Sequence, residues 1–187
     1  TVGQNGSTVS ASGPVAHVQL RIDFFNPHDE FSNASNTDVG FPEAWASLGN
    51  VLKSMPTVKF WAGNRFYRRH DIGVNDFFFW NMSGGGAGVE DITLGGGKLA
   101  VAWIGSGATS GFSNLPQPNP EDKAGFSKTN LDIRFYDLPV FKGNAEIGLI
   151  LSRAKTGLDA EGNSGPESTG YSLHFVHSKS QFISHDG

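Results

Sequence analysis

Apolar and polar residues alternate along much of the chain with the period of two that predicts β-strands. In the first such segment, Val18, Leu20 and Ile22 alternate with Gln19 and Arg21. The segments that show the pattern are 17–25, 130–137 and 144–152 and, more weakly, 98–104 and 171–178. Because successive side chains of a strand point to opposite sides, each of these strands has one apolar and one polar face. The chain is therefore predicted to be all-β.

Two kinds of connection separate the predicted strands. The stretches 106–128 and 156–169 are rich in Gly, Pro, Ser, Asn and Asp and predict long loops, whereas Lys142-Gly143-Asn144 predicts a short hairpin turn. Short turns that alternate with long loops are typical of antiparallel outer-membrane barrels. The sequence has no internal repeat and no recognisable boundary, so residues 1–187 are predicted to form a single domain.

The alternation by itself allows two architectures. In a soluble β-sandwich the apolar faces meet in a closed core and the polar faces meet water. In a transmembrane barrel the apolar faces meet lipid and the polar faces line a wet lumen. Charges of both signs on one strand face, such as Asp132 and Arg134, favour the lumen modestly. A soluble, secreted β-sandwich that binds carbohydrate is the alternative hypothesis.

Composition excludes several classes of protein. The longest apolar stretch is Leu99 to Ile104, far below the roughly 20 residues that a membrane-spanning helix needs. A formal net charge of −4 gives no electrostatic footprint for nucleic acid. The absence of cysteine removes disulfides and thiolate chemistry. A mean hydropathy of −0.27 fits a soluble protein and a barrel equally well, since one residue in two is apolar in a barrel strand.

The segment 60–90 carries the most specific signal in the sequence. Three arginines, a histidine and two aspartates precede the aromatic run Phe77–Trp80, and the triple glycine Gly84–Gly86 follows. Such a mixture of rings and charges is unusual both for a solvated loop and for a packed core. Aromatic rings stack on the apolar faces of sugars, while Arg and Asp hydrogen-bond the hydroxyls. The segment is therefore predicted to bind hydroxyl-rich ligands.

The same segment resembles the maltoporin family of sugar-specific outer-membrane porins. Its sequence FWAGNRFYRRHDIGVNDFFFWNMSGGGAGVE matches the family pattern W-A-G-x-R-F-Y-x-R-H-D, then D-F-x-x-W and S-G-x-G-A-G, nearly without gaps. The resemblance implies an antiparallel, eighteen-stranded transmembrane β-barrel in the outer membrane of a Gram-negative bacterium. It also implies that the third loop, about residues 64–88 here, folds inward as a constriction loop. The chain is then expected to cover roughly the first half of such a barrel.

The family resemblance implies a passive, sugar-selective diffusion channel, not an enzyme. Its solutes would be oligosaccharides of the maltodextrin or sucrose type, its surroundings outer-membrane lipid, and its assembly a homotrimer, with no cofactor. The residues expected to contact sugar at the constriction are Arg69, Asp76, Phe78 and Asn81. Maltodextrin-type members usually carry Tyr at the place of Phe78, sucrose-type members carry Phe there, and many maltoporins carry Asp at the place of Asn81. The preferred sugar is therefore left open.

The remaining polar and glycine residues of the segment are expected to hold the shape of the loop. They are Arg65, Tyr67, His70, Asp71, Gly84 and Gly86. For Arg69 and Asp76 a structural role, as an ion pair that pins the loop to the barrel wall, is the alternative to sugar contact. Both roles are compatible with each other.

Catalytic and metal sites are not predicted. His70 beside Asp71 suggests general base chemistry, but no nucleophile accompanies the pair at a recognisable spacing. Asp71 and Asp76 suggest the two carboxylates of a glycosidase, and no other feature supports that reaction. His174 and His177 lack a third ligand at a zinc-binding spacing.

Overall fold

The structure is a computed structural model that describes residues 13–25, 38–71, 78–107, 127–156 and 165–179. Ten β-strands account for most of these residues: β1 (Val15–Phe25), β2 (Asp38–Gly49), β3 (Lys59–Arg65), β4 (His70–Asp71), β5 (Phe78–Trp80), β6 (Gly84–Leu94), β7 (Gly97–Gly107), β8 (Ser127–Val140), β9 (Gly143–Ala154) and β10 (Ser168–Ser178). No helix in these ranges is long and apolar enough to span a membrane. The prediction of an all-β chain is confirmed.

Eight strands form one antiparallel sheet in the order β1-β2-β3-β6-β7-β8-β9-β10. Strands that follow one another in the chain are neighbours everywhere except between β3 and β6. There the chain leaves the sheet after Arg65 and returns at Gly84, and the excursion contains the small two-stranded sheet β4-β5. The large sheet is thus a meander with one insertion.

The connections fall into two sets at opposite ends of the sheet. Short turns are made by residues 50–58, 95–96 and 141–142, and we call the end of the sheet where they lie the short-turn end. The longer connections join the strands at the other end. The hairpin turn between β8 and β9 lies at Phe141 and Lys142, one residue earlier than predicted. Both residues have positive φ, 47° and 60°, as a two-residue hairpin turn of type I′ requires. Gly143 instead begins β9, where a Cβ would press against the Ser178 carbonyl.

The two faces of the large sheet differ sharply in polarity. Asp132 and Arg134 on β8 are fully buried on what we call the inner face, and Asn130 beside them is 7% exposed. On the outer face Tyr171 and Phe175 of β10 are 82% and 66% exposed. Further exposed apolar side chains on the outer face are Val18, Leu20, Ile22, Leu48, Phe60, Trp103, Ile147, Leu151 and Leu173. This is the distribution of a barrel wall in lipid and the reverse of a soluble sandwich.

Candidate functional site

We call residues 66–83 the insertion, and its described residues, 66–71 and 78–83, lie against the polar inner face of the sheet. Its side chains Tyr67, Trp80 and Met82 are buried, and they join a hydrophobic cluster with four side chains of the large sheet. Those four are Trp61, Ala102, Ile104 and Ile150. Apolar packing therefore fixes one side of the insertion to the centre of the inner face.

Arg134 is the principal polar anchor beneath the insertion. Its Nε and Nη2 donate to the two carboxylate oxygens of Asp132 at 2.7 and 3.1 Å. Its Nη1 donates to Glu146 at 3.2 Å and to the backbone carbonyl of Arg68 at 2.8 Å. The guanidinium also lies 3.8 Å from the centre of the Trp80 ring. One buried cation thus joins β8 and β9 to both arms of the insertion.

A second set of contacts holds the β4-β5 part of the insertion on β9 and β10. His70 Nε2 lies 3.1 Å from Glu146 Oε2. The Trp80 ring stacks on His174, with centroids 4.5 Å apart and planes 16° apart. Gly148 lies directly under Trp80, and a Cβ there would overlap the indole ring. The close approach of Trp80 to the sheet therefore requires glycine at that position.

The first residues of the insertion are fixed by Arg65 and Tyr67. Arg65 donates to both carboxylate oxygens of Glu90, at 3.1 and 3.3 Å, and its guanidinium lies over the Trp45 ring at 4.3 Å. Tyr67 is fully buried and stacks on Trp61 with centroids 5.0 Å apart. Burial raises the pKa of the Tyr67 phenol to about 12, so the side chain is neutral at neutral pH. These contacts are those of a structural support.

Arg69 stands in a different environment from the other arginines of the insertion. Its guanidinium carbon lies 3.9 Å from the centre of the Phe66 ring and 4.5 Å from that of Phe78. Within the described ranges its N–H groups make no hydrogen bond or ion pair. A guanidinium stacked on rings presents its donors at the edges of its plane. The arrangement therefore offers a fixed donor set beside an aromatic surface.

The remaining predicted site residues of the insertion have separate positions. Asn81 is exposed, and its Oδ1 accepts the backbone N–H of Ser83 at 3.0 Å, which shapes the return to β6. Asp76 lies outside the described residues. Asp71 belongs to β4 and is paired with Phe78 across the small sheet. Among the described residues, no group of three His, Asp or Glu side chains could hold a metal ion.

The structure places two of the residues expected in the constriction loop within the large sheet. Gly84 and Gly86, expected in the loop, are residues of β6 and pair with Arg65 and Gly63 of β3. The reason is steric, because a Cβ on Gly86 would overlap the Trp103 carbonyl of β7. Glycine at this position therefore lets two strands approach closely within the sheet. The excursion from the large sheet runs from 66 to 83, within the expected 64–88.

Sequence reasoning missed the anchors on the sheet itself. Asp132 and Arg134 were recognised as mixed charges on one strand face, but not as the support of the insertion. Glu146 and Gly148 occupy alternate positions of β9. This spacing puts both residues on the same face of the strand, and it was the signal in the sequence that could have indicated a shared role. Strand pairing sets Arg134 opposite Gly148 and Asp132 opposite Ile150, and this register was not legible in the sequence.

A comparison with protein families agrees with the geometry. The model of the family described as LamB porin matches residues 2–187, nearly the whole chain. Porins of this family are sugar channels of the Gram-negative outer membrane and are not a family of enzymes. An apolar outer face and a polar inner face are the features that such a barrel wall requires. The chain belongs to the LamB porin family and is part of an outer-membrane, β-barrel sugar porin.

Proposed function

We propose that the insertion narrows the pore and that Arg69 and Phe78 contact passing sugars there. The observation that carries this proposal is the position of Arg69, held by the rings of Phe66 and Phe78 with its N–H groups unengaged by described residues. A sugar can place an apolar face against the aromatic surface while its hydroxyl oxygens accept from the guanidinium. Transport is passive, and such contacts are weak and successive, so that the solute can leave.

The arginines of the inner face divide into two groups by their partners. Arg65 and Arg134 are satisfied by Glu90, Asp132 and Glu146, and they support the insertion. Arg69 alone among these three has no carboxylate partner within the described ranges. We assign Asp76 as the hydroxyl acceptor that complements Arg69, and Asn81 as a turn residue that reaches the solute with its amide nitrogen. The support residues are Arg65, Tyr67, His70 and Asp71.

The solute class and assembly complete the proposal. Phe78 gives a ring face without a hydroxyl, which suits sucrose or short maltodextrins whose contact is stacking rather than a hydrogen bond to Tyr. A homotrimer with one pore per subunit is the proposed assembly. No catalytic group is assigned.

Replacing Arg69 by alanine is expected to weaken sugar binding in the pore about tenfold, the value of one hydrogen bond to a charged group. The complete gene product is reconstituted in planar bilayers, and block of the ion current is titrated with maltotriose and with sucrose. Arg153→Ala is the matched control, since Arg153 is an exposed arginine of β9 paired with Glu167. Equal sugar block of the wild-type and Arg69→Ala channels would mean that Arg69 only supports the structure of the insertion.

Replacing Phe78 by tyrosine is expected to shift selectivity toward linear maltodextrins. The new hydroxyl adds one hydrogen bond to the same ring face, so maltotriose block should strengthen roughly two- to tenfold. Sucrose block should change less, because stacking area is preserved. The same titrations give the ratio of the two affinities, and an unchanged ratio would contradict a role for Phe78 in selectivity. Phe141→Tyr, in the exposed turn between β8 and β9, is the control.

A further inference from the structure

A second polar cluster lies on the inner face at the short-turn end of the sheet. It consists of Lys59, Asp91, Lys98 and Asp137, which we call the short-turn cluster. Lys59 Nζ is 2.8 Å from Asp91 Oδ2, and Lys98 Nζ is 2.8 Å from Asp137 Oδ2 and 3.9 Å from Asp91 Oδ1. The residues come from β3, β6, β7 and β8, so the cluster spans four adjacent strands.

Two β-bulges bring the carboxylates of this cluster onto the lysines. The register of β6 against β7 shifts between Val89 and Ile92, and that of β8 against β9 shifts between Phe135 and Leu138. Asp91 and Asp137 have φ values of 62° and 56° within these shifts. Asp is one of the few residues besides glycine that tolerate a left-handed backbone, so both positions accommodate the bulges. Bulges commonly re-aim side chains beside functional sites.

Asp91 is held by the residue that also contacts the insertion. Tyr136 Oη donates to Asp91 Oδ1 at 2.8 Å and accepts the Asp91 backbone N–H at 2.9 Å. The guanidinium of Arg68, in the insertion, lies 3.6 Å from the centre of the Tyr136 ring. The short-turn cluster therefore adjoins the insertion on its short-turn side. A solute that passes the insertion toward that end meets the cluster next.

A cavity of about 430 Å³ opens beside the cluster. Val15 and Pro56 give it an apolar side, and Lys59, Asp91 and Lys98 give it a polar side. The volume lies within the roughly 300–1,000 Å³ of small-molecule sites. Each lysine ammonium has three donors and spends one on its 2.8 Å partner, so donors remain for a ligand. Lys59 and Lys98 are also about half and two-fifths exposed.

We propose that the short-turn cluster and its cavity form a second sugar-binding site, which takes neutral, hydroxyl-rich pyranosides. This inference rests on the proposed function. Two ammonium groups and two carboxylates balance in charge, so the site does not select anions, while donors and acceptors side by side match the hydroxyls of a neutral sugar. Val15 and Pro56 would contact the C–H groups of the sugar. In a porin the short turns face the periplasm, so the site receives sugar on the periplasmic side of the insertion.

The test measures sugar entry from each side of the membrane separately. The complete gene product is inserted in one orientation in planar bilayers, and association rates for maltotriose are taken from current noise with sugar on one side only. Lys59→Met and Lys98→Met are expected to lower the rate from the short-turn side roughly three- to tenfold and to leave the rate from the other side unchanged. Lys53→Met, an exposed lysine in the turn 50–58, is the matched control and should change neither rate.

Unchanged short-turn-side rates in both variants would overturn the inference, and so would an equal fall from both sides. Glucose 1-phosphate is the second probe, and a stronger response to it than to maltotriose would also overturn a site for neutral sugars. Lys98→Arg keeps the charge and donors, so it should restore the rate that Lys98→Met loses. The two proposals fail in different ways. If sugar does not block the wild-type channel, or blocks it as well after Arg69→Ala, the proposed function is contradicted. If block depends on Arg69 but the lysine variants have unchanged association rates, only the second site is contradicted.

Discussion

Replacing Arg134 by methionine is expected to lower the free energy of unfolding by about 3–5 kcal/mol, the cost of breaking a buried ion pair from one side. Arg134 and Asp132 are both fully buried, so the substitution leaves the Asp132 carboxylate without its cation. Glu146 keeps His70 but loses Arg134, and Trp80 loses the cation over its ring. The midpoint of urea unfolding in detergent, followed by tryptophan fluorescence, measures the change.

Two further variants show whether burial is the cause. Arg153→Met breaks an exposed arginine–carboxylate pair on the neighbouring strand and should cost at most about 1 kcal/mol. The double variant Asp132→Leu with Arg134→Met removes both charges and should recover part of the loss, since the orphaned carboxylate is gone. A double variant no more stable than Arg134→Met, or an equal loss at Arg153, would contradict the buried-pair explanation.

The Arg134→Met substitution is also expected to change the ion current through the pore. The carbonyl of Arg68 and the ring of Trp80 both rest on Arg134, and they belong to opposite arms of the insertion. Without these contacts the described part of the insertion keeps its apolar packing, the His70–Glu146 contact, the Arg68–Tyr136 contact and the stacking of Trp80 on His174. Open-channel current noise of Arg134→Met is therefore expected to rise, with sugar block weakened even though Arg69 and Phe78 are intact.

The parts of the fold that depend on local sequence patterns could be predicted from the sequence. Alternation along β1, β8 and β9 predicted their faces, and the structure places the polar face of β8 on the inner side, beneath the insertion. The short connection between β8 and β9 was predicted correctly in kind, whereas most of the predicted long loops 106–128 and 156–169 lies outside the described residues. The turn at Phe141 and Lys142 was misplaced by one residue because glycine signals a turn, whereas here Gly143 serves close strand packing.

The contacts that hold the insertion on the sheet could not be predicted from the sequence, because they join residues that are far apart in the chain. Arg134 and Arg68 are 66 positions apart, and His70 and Glu146 are 76 positions apart. Nothing in the local pattern states which strand will lie beneath the insertion, because that follows from the order and register of the sheet. The same holds for the bulges at Asp91 and Asp137, because they depend on the register with neighbouring strands.

Replacing Gly148 by alanine is expected to displace Trp80, because the new Cβ would overlap the indole ring. The ring has little room to yield, since it is 1% exposed and lies between the sheet, Arg134 and His174. Overpacking of this kind costs about 1–3 kcal/mol. The displaced ring carries β5 with it, so Phe78 moves relative to Arg69, and sugar block should weaken about tenfold if 1.4 kcal/mol of contact is lost.

The size of the indole ring supplies the decisive control for that prediction. Trp80→Phe shortens the ring at the atoms that a Cβ on Gly148 would overlap, so Gly148→Ala combined with Trp80→Phe should be more stable than the two separate losses predict. Gly170→Ala on β10 meets no atom within 4 Å and should leave unfolding and sugar block unchanged. Strictly additive losses in the double variant would show that Gly148 acts on something other than Trp80. Positive coupling together with recovered block would establish that a single missing methyl group on β9 sets the depth at which the insertion lies in the pore.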